Sequence, residues 1–209
     1  MIEALPPVLA HMQTLGHKVF TLGDYNLNLF GIRSQTARPD KFDDLLGCAY
    51  KKEGLWVVEY WPATTDPGAY HLKDAGARYG QEGSAVLAPG QYLGAYGIGP
   101  HGASKYEALT QQFAPVYVYR DANKDMVADA VGTLHRGWFG INIHDSSMRP
   151  YKDDGDRTDG DVGPWSGGCQ VHATNHGFRR MMSLAKAQID LHGAGWDKFT
   201  YTLLDQWDR

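Results

Sequence analysis

The chain has 209 residues, 43% of them hydrophobic, and a formal net charge of −4. This composition is typical of a folded domain with a packed core and excludes a disordered chain. The negative charge and the absence of a Lys/Arg cluster give no indication of nucleic-acid binding. No apolar run approaches the roughly 20 residues that a membrane-spanning helix needs.

The N-terminal segment, residues 1–16, is predicted to be helical. A short helix is expected over 7–16, with proline at its start and Gly16 at its end. The first residues include Glu3 and no basic cluster, so we expect no secretory signal. The protein is expected to be synthesised in the cytoplasm, and its route to any target outside the cytoplasm is left open. No stretch has the composition of a linker, which predicts a single domain over 1–209.

Short apolar runs separated by Gly, Asn and Asp predict a mainly β fold with two or three peripheral helices. The predicted strands are 18–21, 27–32, 47–51, 55–61, 84–88, 92–98, 116–120, 139–144 and 198–204. A hairpin turn is expected at 51–54, and the polar stretch 145–165 is predicted to be a long exposed loop.

One amphipathic helix is predicted near 174–192. Its apolar stripe consists of Phe178, Met181, Met182, Ala185 and Ile189. Thr174 or Asn175 is expected to cap its start, and Gly193 is expected to end it.

Two segments near the C-terminal half carry side chains suited to nucleophilic chemistry. Ile-Asn-Ile-His ends at His144, and Trp-Ser-Gly-Gly-Cys runs from Trp165 to Cys169. A thiol needs a nearby base to act as a nucleophile near neutral pH, and imidazole is the usual base. Backbone N–H groups around Gly167, Gly168 and Cys169 are candidates for holding an oxyanion.

These two motifs resemble the active-site motif of the L,D-transpeptidase family, cysteine enzymes that remodel peptidoglycan cross-links. The resemblance aligns His144 with the catalytic histidine, Cys169 with the nucleophile, and Ser166 and Gly168 with the family's Ser and Gly. It implies an L,D-transpeptidase-like β-sandwich or barrel.

The wider frame is similar to a branch of this superfamily that bacteriophages and prophages often encode. The segments that carry this likeness are 28–34, 41–44, 63–68 and 139–144. The chain departs from the family pattern at Gly167, where His or Lys is common, and at Val171, where Arg or Asn is usual. The interval between His144 and Cys169 is also longer than usual, which leaves substrate specificity open.

The resemblance implies that the partner is a peptidoglycan stem peptide and that no cofactor or metal is needed. Cys169 would attack the carbonyl at an L,D bond, and His144 would take the thiol proton. Hydrolysis, as in a phage lytic enzyme or endolysin, is favoured over cross-linking or exchange by a transpeptidase. Trp165 and Asp145 are candidates for the substrate cleft, and either Asp145 or a backbone carbonyl is expected to orient His144.

Several alternatives stay open at this stage. The fold could serve as a non-catalytic wall-binding or virion structural module. Cys169, His172 and His176, with His144, have spacings compatible with a zinc site, and Ser166 could be only a turn residue. The stretch 121–132 begins like a calcium loop but lacks its Gly and Glu, so we expect a plain turn.

Three further side chains have less specific signals. Cys48 is expected to pack as a small buried hydrophobic residue, with a bridge to Cys169 as the lesser possibility. His101 and Tyr96 are candidates to reach a cleft, but an ordinary surface loop is the favoured interpretation. The sequence does not indicate an oligomeric state.

Overall fold

The computed structural model describes residues 4–36, 38–73, 82–146 and 160–206. It is mainly β, as predicted, with a closed eight-stranded barrel, a separate three-stranded sheet and a few helices. In chain order the elements are α1 (Pro7–Thr14), β1 (Asn28–Arg33), β2 (Asp44–Lys52), β3 (Leu55–Thr64), α2 (Ala69–Lys73), β4 (Ser84–Leu87), β5 (Gly90–His101), β6 (Tyr106–Gln111), β7 (Val116–Asp121), β8 (His135–Gly137), β9 (Ile143–Asp145), β10 (Gln170–His172), α3 (Asn175–His192) and β11 (Phe199–Asp205).

The barrel closes in the order β1-β11-β5-β6-β9-β10-β3-β2. Most neighbours are antiparallel, but β1 pairs with β11 and β9 pairs with β10 in parallel. The small sheet has the order β4-β7-β8. Parallel neighbours cannot be joined by a tight turn, so β9 and β10 need a longer connection between them.

The barrel interior is filled by aromatic and aliphatic side chains. Tyr50, Tyr96 and Tyr201 are almost fully buried, and the same apolar cluster includes Leu87 and Val118 from the small sheet. The two sheets therefore share one hydrophobic core.

Helix α3 packs its predicted apolar stripe against this core. Phe178, Met181, Met182 and Ala185 are buried, and Ile189 is partly buried against them. Thr174 accepts a hydrogen bond from the Gly177 backbone N–H at 3.1 Å, so Thr174 is the N-cap. The helix over 175–192, with Gly193 following it, confirms the sequence prediction.

One predicted strand is absent, and another is much shorter than predicted. Residues 18–21 form no strand, because side-chain amides of Gln91 and Asn28 bond the backbones of Lys18 and Phe20 instead. The strand expected over 139–144 begins only at Ile143.

The late start of β9 has an identifiable cause. The Gln111 side-chain oxygen accepts hydrogen bonds from the backbone N–H groups of Phe139, Gly140 and Ile141 at 3.0–3.3 Å. These N–H groups are therefore not available to a neighbouring strand. His144 consequently lies in the middle of a short strand rather than at the end of a long one.

The predicted loop over 145–165 falls partly outside the residues that the structure describes. The loop predicted over 145–165 is described at 145–146 and 160–165, where its residues lie outside strands except for Asp145, which ends β9, and an isolated bridge at Asp161; residues 147–159 lie outside the described part. Strands β6, β8 and β10 are absent from the predicted set. Among the described residues, no helix is both long and apolar enough to cross a membrane.

Candidate active site

The parallel pair β9–β10 positions both residues of the predicted reacting pair. Val171 lies beside His144 in the register, and Cys169 immediately precedes β10, beside Asn142. With ordinary strand spacings, the Cα atoms of Cys169 and His144 are about 8 Å apart. Because side chains alternate along a strand, Cys169, Val171 and His144 face the same side of the sheet.

The opposite side of β10 faces the barrel interior. Gln170 accepts a hydrogen bond from the Tyr201 hydroxyl at 2.9 Å within the core. Cys169 and Val171 instead join a separate apolar cluster with Phe42 and Val162. The candidate nucleophile is thus on the outer face of the barrel wall.

The half-buried Cys169 thiol has two backbone neighbours. Its sulfur donates to the Gly140 carbonyl oxygen at 3.4 Å and accepts from the Asn142 backbone N–H, also at 3.4 Å. Burial raises the pKa of the Cys169 thiol to about 11. At neutral pH the resting group is therefore a thiol whose proton is directed to a carbonyl.

His144 is buried and held by the backbone of the next residue. Its Nδ1 lies 2.8 Å from the Asp145 carbonyl oxygen, which can only accept, so Nδ1 carries the proton and Nε2 is bare. Of the two orienting groups expected, the structure therefore selects the backbone carbonyl. Burial, followed by the charge of the neighbouring His101, lowers the pKa of His144 to about 3, so the ring is neutral.

The Asp145 carboxylate has a different neighbour. Its Oδ2 accepts from the Asn175 side-chain amide at 2.7 Å, at the start of α3. This contact ties the end of β9 to the helix. Asp145 therefore has a structural role, holding β9 to the helix, in addition to the cleft position predicted for it.

The turn before the cysteine is built around the fully buried Ser166. Its hydroxyl accepts from the Gly168 backbone N–H at 3.2 Å and donates to the Cys169 carbonyl oxygen at 2.8 Å. Of the three N–H groups proposed for the oxyanion, that of Gly168 is already used within the turn. Gly167 and Cys169 supply the two that remain as candidates.

A cavity of about 270 Å³ lies beside His144. Its walls include Trp165, Asp145 and Tyr106, together with the β5–β6 turn from His101 to Ser104. Trp165 and Asp145, both predicted to line the cleft, therefore border the same cavity as His144. A larger cavity of about 550 Å³ follows α3 and shares Tyr106 and Asp145 with the first.

The structure adds two residues that sequence reasoning missed or undervalued. His101, interpreted as a surface-loop residue, ends β5 and stacks on His144 with ring centroids 4.1 Å apart. Asn142 lies between Cys169 and His101, contacting the first through its backbone and the second through its side chain. The Asn within Ile-Asn-Ile-His was the only available signal for it. Tyr96, by contrast, is fully buried in the barrel and does not reach the cleft.

The zinc alternative has its proposed ligands on different surfaces. His172 faces the core beside Trp61 and Phe178, whereas Cys169 faces outward and His176 is exposed. Among the described residues, no three His, Cys, Asp or Glu side chains are grouped to hold a metal ion. Both cysteines are free thiols, and Cys48 is buried in the core as expected.

The calcium-like stretch is a series of side-chain turns. The Asp121 carboxylate accepts from the backbone N–H of Asn123, and the Asn123 side-chain oxygen accepts from the backbone N–H of Asp125. These bonds are typical of Asx turns, in which a side chain replaces a backbone acceptor. The interpretation as a turn accounts for the local geometry.

Comparison with protein-family models, with curated proteins and with solved structures finds no match to this chain. The resemblance to L,D-transpeptidases thus depends on the motif residues. The positions of β9, β10 and the adjoining cavity do not depend on that resemblance.

Proposed function

We propose that this chain is a cysteine-dependent enzyme that cleaves peptidoglycan stem peptides at L,D bonds through an acyl-enzyme, with hydrolysis as the favoured outcome. One observation carries the proposal: Cys169 and His144 share the outer face of two paired parallel strands beside a cavity lined by His144 and Trp165. The motif resemblance supplies the substrate class.

The first step joins the thiol to the substrate carbonyl. Sγ of Cys169 bonds to the carbonyl carbon at the L-centre while the bare Nε2 of His144 accepts the thiol proton. The tetrahedral oxyanion then collapses, the C–N bond breaks, and His144 returns the proton to the leaving amine. The products of this half-reaction are a thioester on Cys169 and a free terminal D-residue.

The resting geometry sets a requirement for this step. Because the thiol donates to the Gly140 carbonyl, the Cys169 side chain must turn towards Nε2 of His144 when a peptide binds. A neutral thiol and a neutral imidazole also mean that proton transfer accompanies attack and does not precede it. Catalytic hydrogen bonds often become aligned only in the substrate complex.

The second step decides between two fates of the thioester. Water activated by His144 gives a peptidase, whereas the amine of a second stem peptide or of a D-amino acid gives a transpeptidase. Both share the first half-reaction. The phage-like frame of the sequence is the reason that hydrolysis is favoured.

The test uses a purified tetrapeptide muropeptide, with and without an added D-amino acid, analysed by mass spectrometry. We expect a tripeptide product from the wild-type protein and no turnover by Cys169→Ser. Cys48→Ala is the matched control, because it removes the other thiol in the buried core and should leave turnover intact. Exchange of the terminal residue would instead identify a transpeptidase.

Two results would contradict the proposal. Turnover by Cys169→Ser would exclude Cys169 as the nucleophile. Binding to peptidoglycan without any turnover by the wild-type protein would favour a wall-binding module.

A further inference from the structure

The protonation pattern of His101 is fixed by its neighbours. The Gln111 backbone N–H donates to the side-chain oxygen of Asn142 at 2.9 Å. This contact turns the amide so that its NH₂ group faces Nδ1 of His101 at 3.0 Å. An amide NH₂ group can only donate, so Nδ1 of His101 accepts, and the proton of the neutral ring is on Nε2.

His101 and His144 are therefore complementary neighbours. The two rings stack with centroids 4.1 Å apart and planes inclined by 25°. His144 has its proton on Nδ1 and a bare Nε2, whereas His101 has the reverse arrangement. Burial lowers the pKa of His101, so this ring is also neutral near pH 7. One imidazole offers a lone pair and the other offers an N–H.

Both rings line the same 270 Å³ cavity. The lining of the cavity therefore contains a base beside a neutral N–H donor, together with the partly buried Trp165. When a ligand displaces water from the cavity, a neutral donor there pairs with an acceptor oxygen, because an N–H left without a partner is unfavourable. Peptide carbonyls and carboxylates provide such oxygens.

We propose that His101 is a specificity-determining residue whose Nε2–H donates a hydrogen bond to a carbonyl or carboxylate oxygen of the peptide bound beside His144. The identity of that ligand as a peptide rests on the proposed function. The tautomer of His101 does not, because it follows from Gln111 and Asn142 alone.

Two substitutions separate the donor from the ring. His101→Phe keeps an aromatic ring against His144 but removes both nitrogens. His101→Gln loses the stacking and keeps an amide N–H near the place of Nε2. We expect kcat/KM for the tetrapeptide muropeptide to fall about 10- to 100-fold in His101→Phe, mainly through KM, and to stay within about fivefold of wild type in His101→Gln.

Alkylation of Cys169 by iodoacetamide provides a readout that needs no peptide. Because this small reagent needs no donor from His101, both variants should be alkylated at the wild-type rate. Slower alkylation in His101→Phe would mean that His101 acts on the thiol through Asn142, and the role in substrate binding would be overturned. Unchanged kcat/KM in His101→Phe, or equal losses in the two variants, would overturn it as well.

The tautomer is tested on the wild-type protein by nitrogen–proton correlation NMR of the histidine rings. A proton on Nε2 of His101 and on Nδ1 of His144 is expected. A proton on Nδ1 of His101 would overturn this inference whatever the substrate proves to be. Failure of the wild-type protein to cleave any stem peptide would instead refute the proposed function and leave the NMR result to decide the His101 tautomer.

Discussion

The Cys169 thiol is a poor nucleophile in its resting arrangement. Its sulfur is between a carbonyl that accepts its proton and an N–H that donates to it, and burial holds its pKa near 11. In contrast, a preformed thiolate–imidazolium pair would have a lowered thiol pKa. The free protein thus holds Cys169 as a protonated thiol, and the proposed attack would depend on the arrival of substrate.

This state predicts a steep pH dependence of alkylation. In the free protein, the rate of Cys169 modification by iodoacetamide should rise about tenfold per pH unit between pH 7 and 10, because thiolate is a minor species below a pKa of about 11. His144→Ala should leave that profile unchanged while lowering peptide turnover about 10²- to 10⁴-fold. The rates are measured by mass spectrometry of the modified protein.

A rate that is flat from pH 6 to 9 would contradict this picture, since it would reveal a resting ion pair. Cys169→Ser serves as the blank. It should take up no reagent, because Cys48 is sealed in the core.

At the scale of elements, the turn that leads into β10 depends on glycine at one position. Gly168 has φ of +124°, and a side chain there would bring Cβ to 2.3 Å from the Ala85 carbonyl oxygen of β4. The small sheet therefore packs directly against the turn that carries the candidate nucleophile. The sequence marks this turn by two glycines but does not show which one is required.

Gly168→Ala should lower the free energy of unfolding by about 2–4 kcal/mol, through backbone strain and the contact with Ala85. Gly167→Ala is the matched control: Gly167 is not among the residues with positive φ, so its effect should be below about 1 kcal/mol. Urea unfolding followed by tryptophan fluorescence measures both. Equal effects of the two substitutions would contradict the requirement for glycine at 168.

Element boundaries were predictable where a periodic pattern acts alone. Helix α3 follows its apolar stripe and its caps, and the hairpin between β2 and β3 turns at Glu53 and Gly54 as expected. Strand β9 was predicted too long because one distant side chain, Gln111, takes the N–H groups that a strand would have used. A single sequence gives no indication of such long-range capture.

The same limit applies to the candidate site. Cys169 and His144 could be identified because their motifs contain the relevant chemistry in adjacent residues. His101 is separated from His144 by 43 positions, and only the barrel, through β5, β6 and β9, brings the two rings into contact. The pairing of strands determines which distant side chains come into contact, and sequence spacing does not encode that pairing.

For the whole molecule, a buried histidine links stability to pH. His172 has no exposed surface, neither ring nitrogen has a hydrogen-bond partner within the described part of the chain, and Trp61 and Phe178 pack around it. Burial, followed by the charge of His144, lowers the pKa of His172 from 6.5 to about 3. The unfolded chain therefore binds a proton below pH 6.5 that the folded protein excludes until about pH 3, so acidification across this window favours unfolding.

His172→Phe should remove this contribution. Over most of the window between pH 6.5 and 3, the variant should lose about 1.4 kcal/mol less stability per pH unit than wild type, and at pH 7 it should be at least as stable. The exposed His176→Ala should keep the wild-type slope. Urea denaturation at several pH values provides the comparison, and parallel curves for His172→Phe and wild type would contradict it.

Cys48 is buried and Cys169 is only half-buried, so the reactivity of the two thiols reports on unfolding. A native molecule presents one group to a thiol reagent, whereas a molecule whose barrel has opened presents two, because Cys48 then meets solvent. Counting doubly labelled molecules over time would therefore time the opening of the β1–β2–β3 wall, with the first label serving as an internal standard in every molecule.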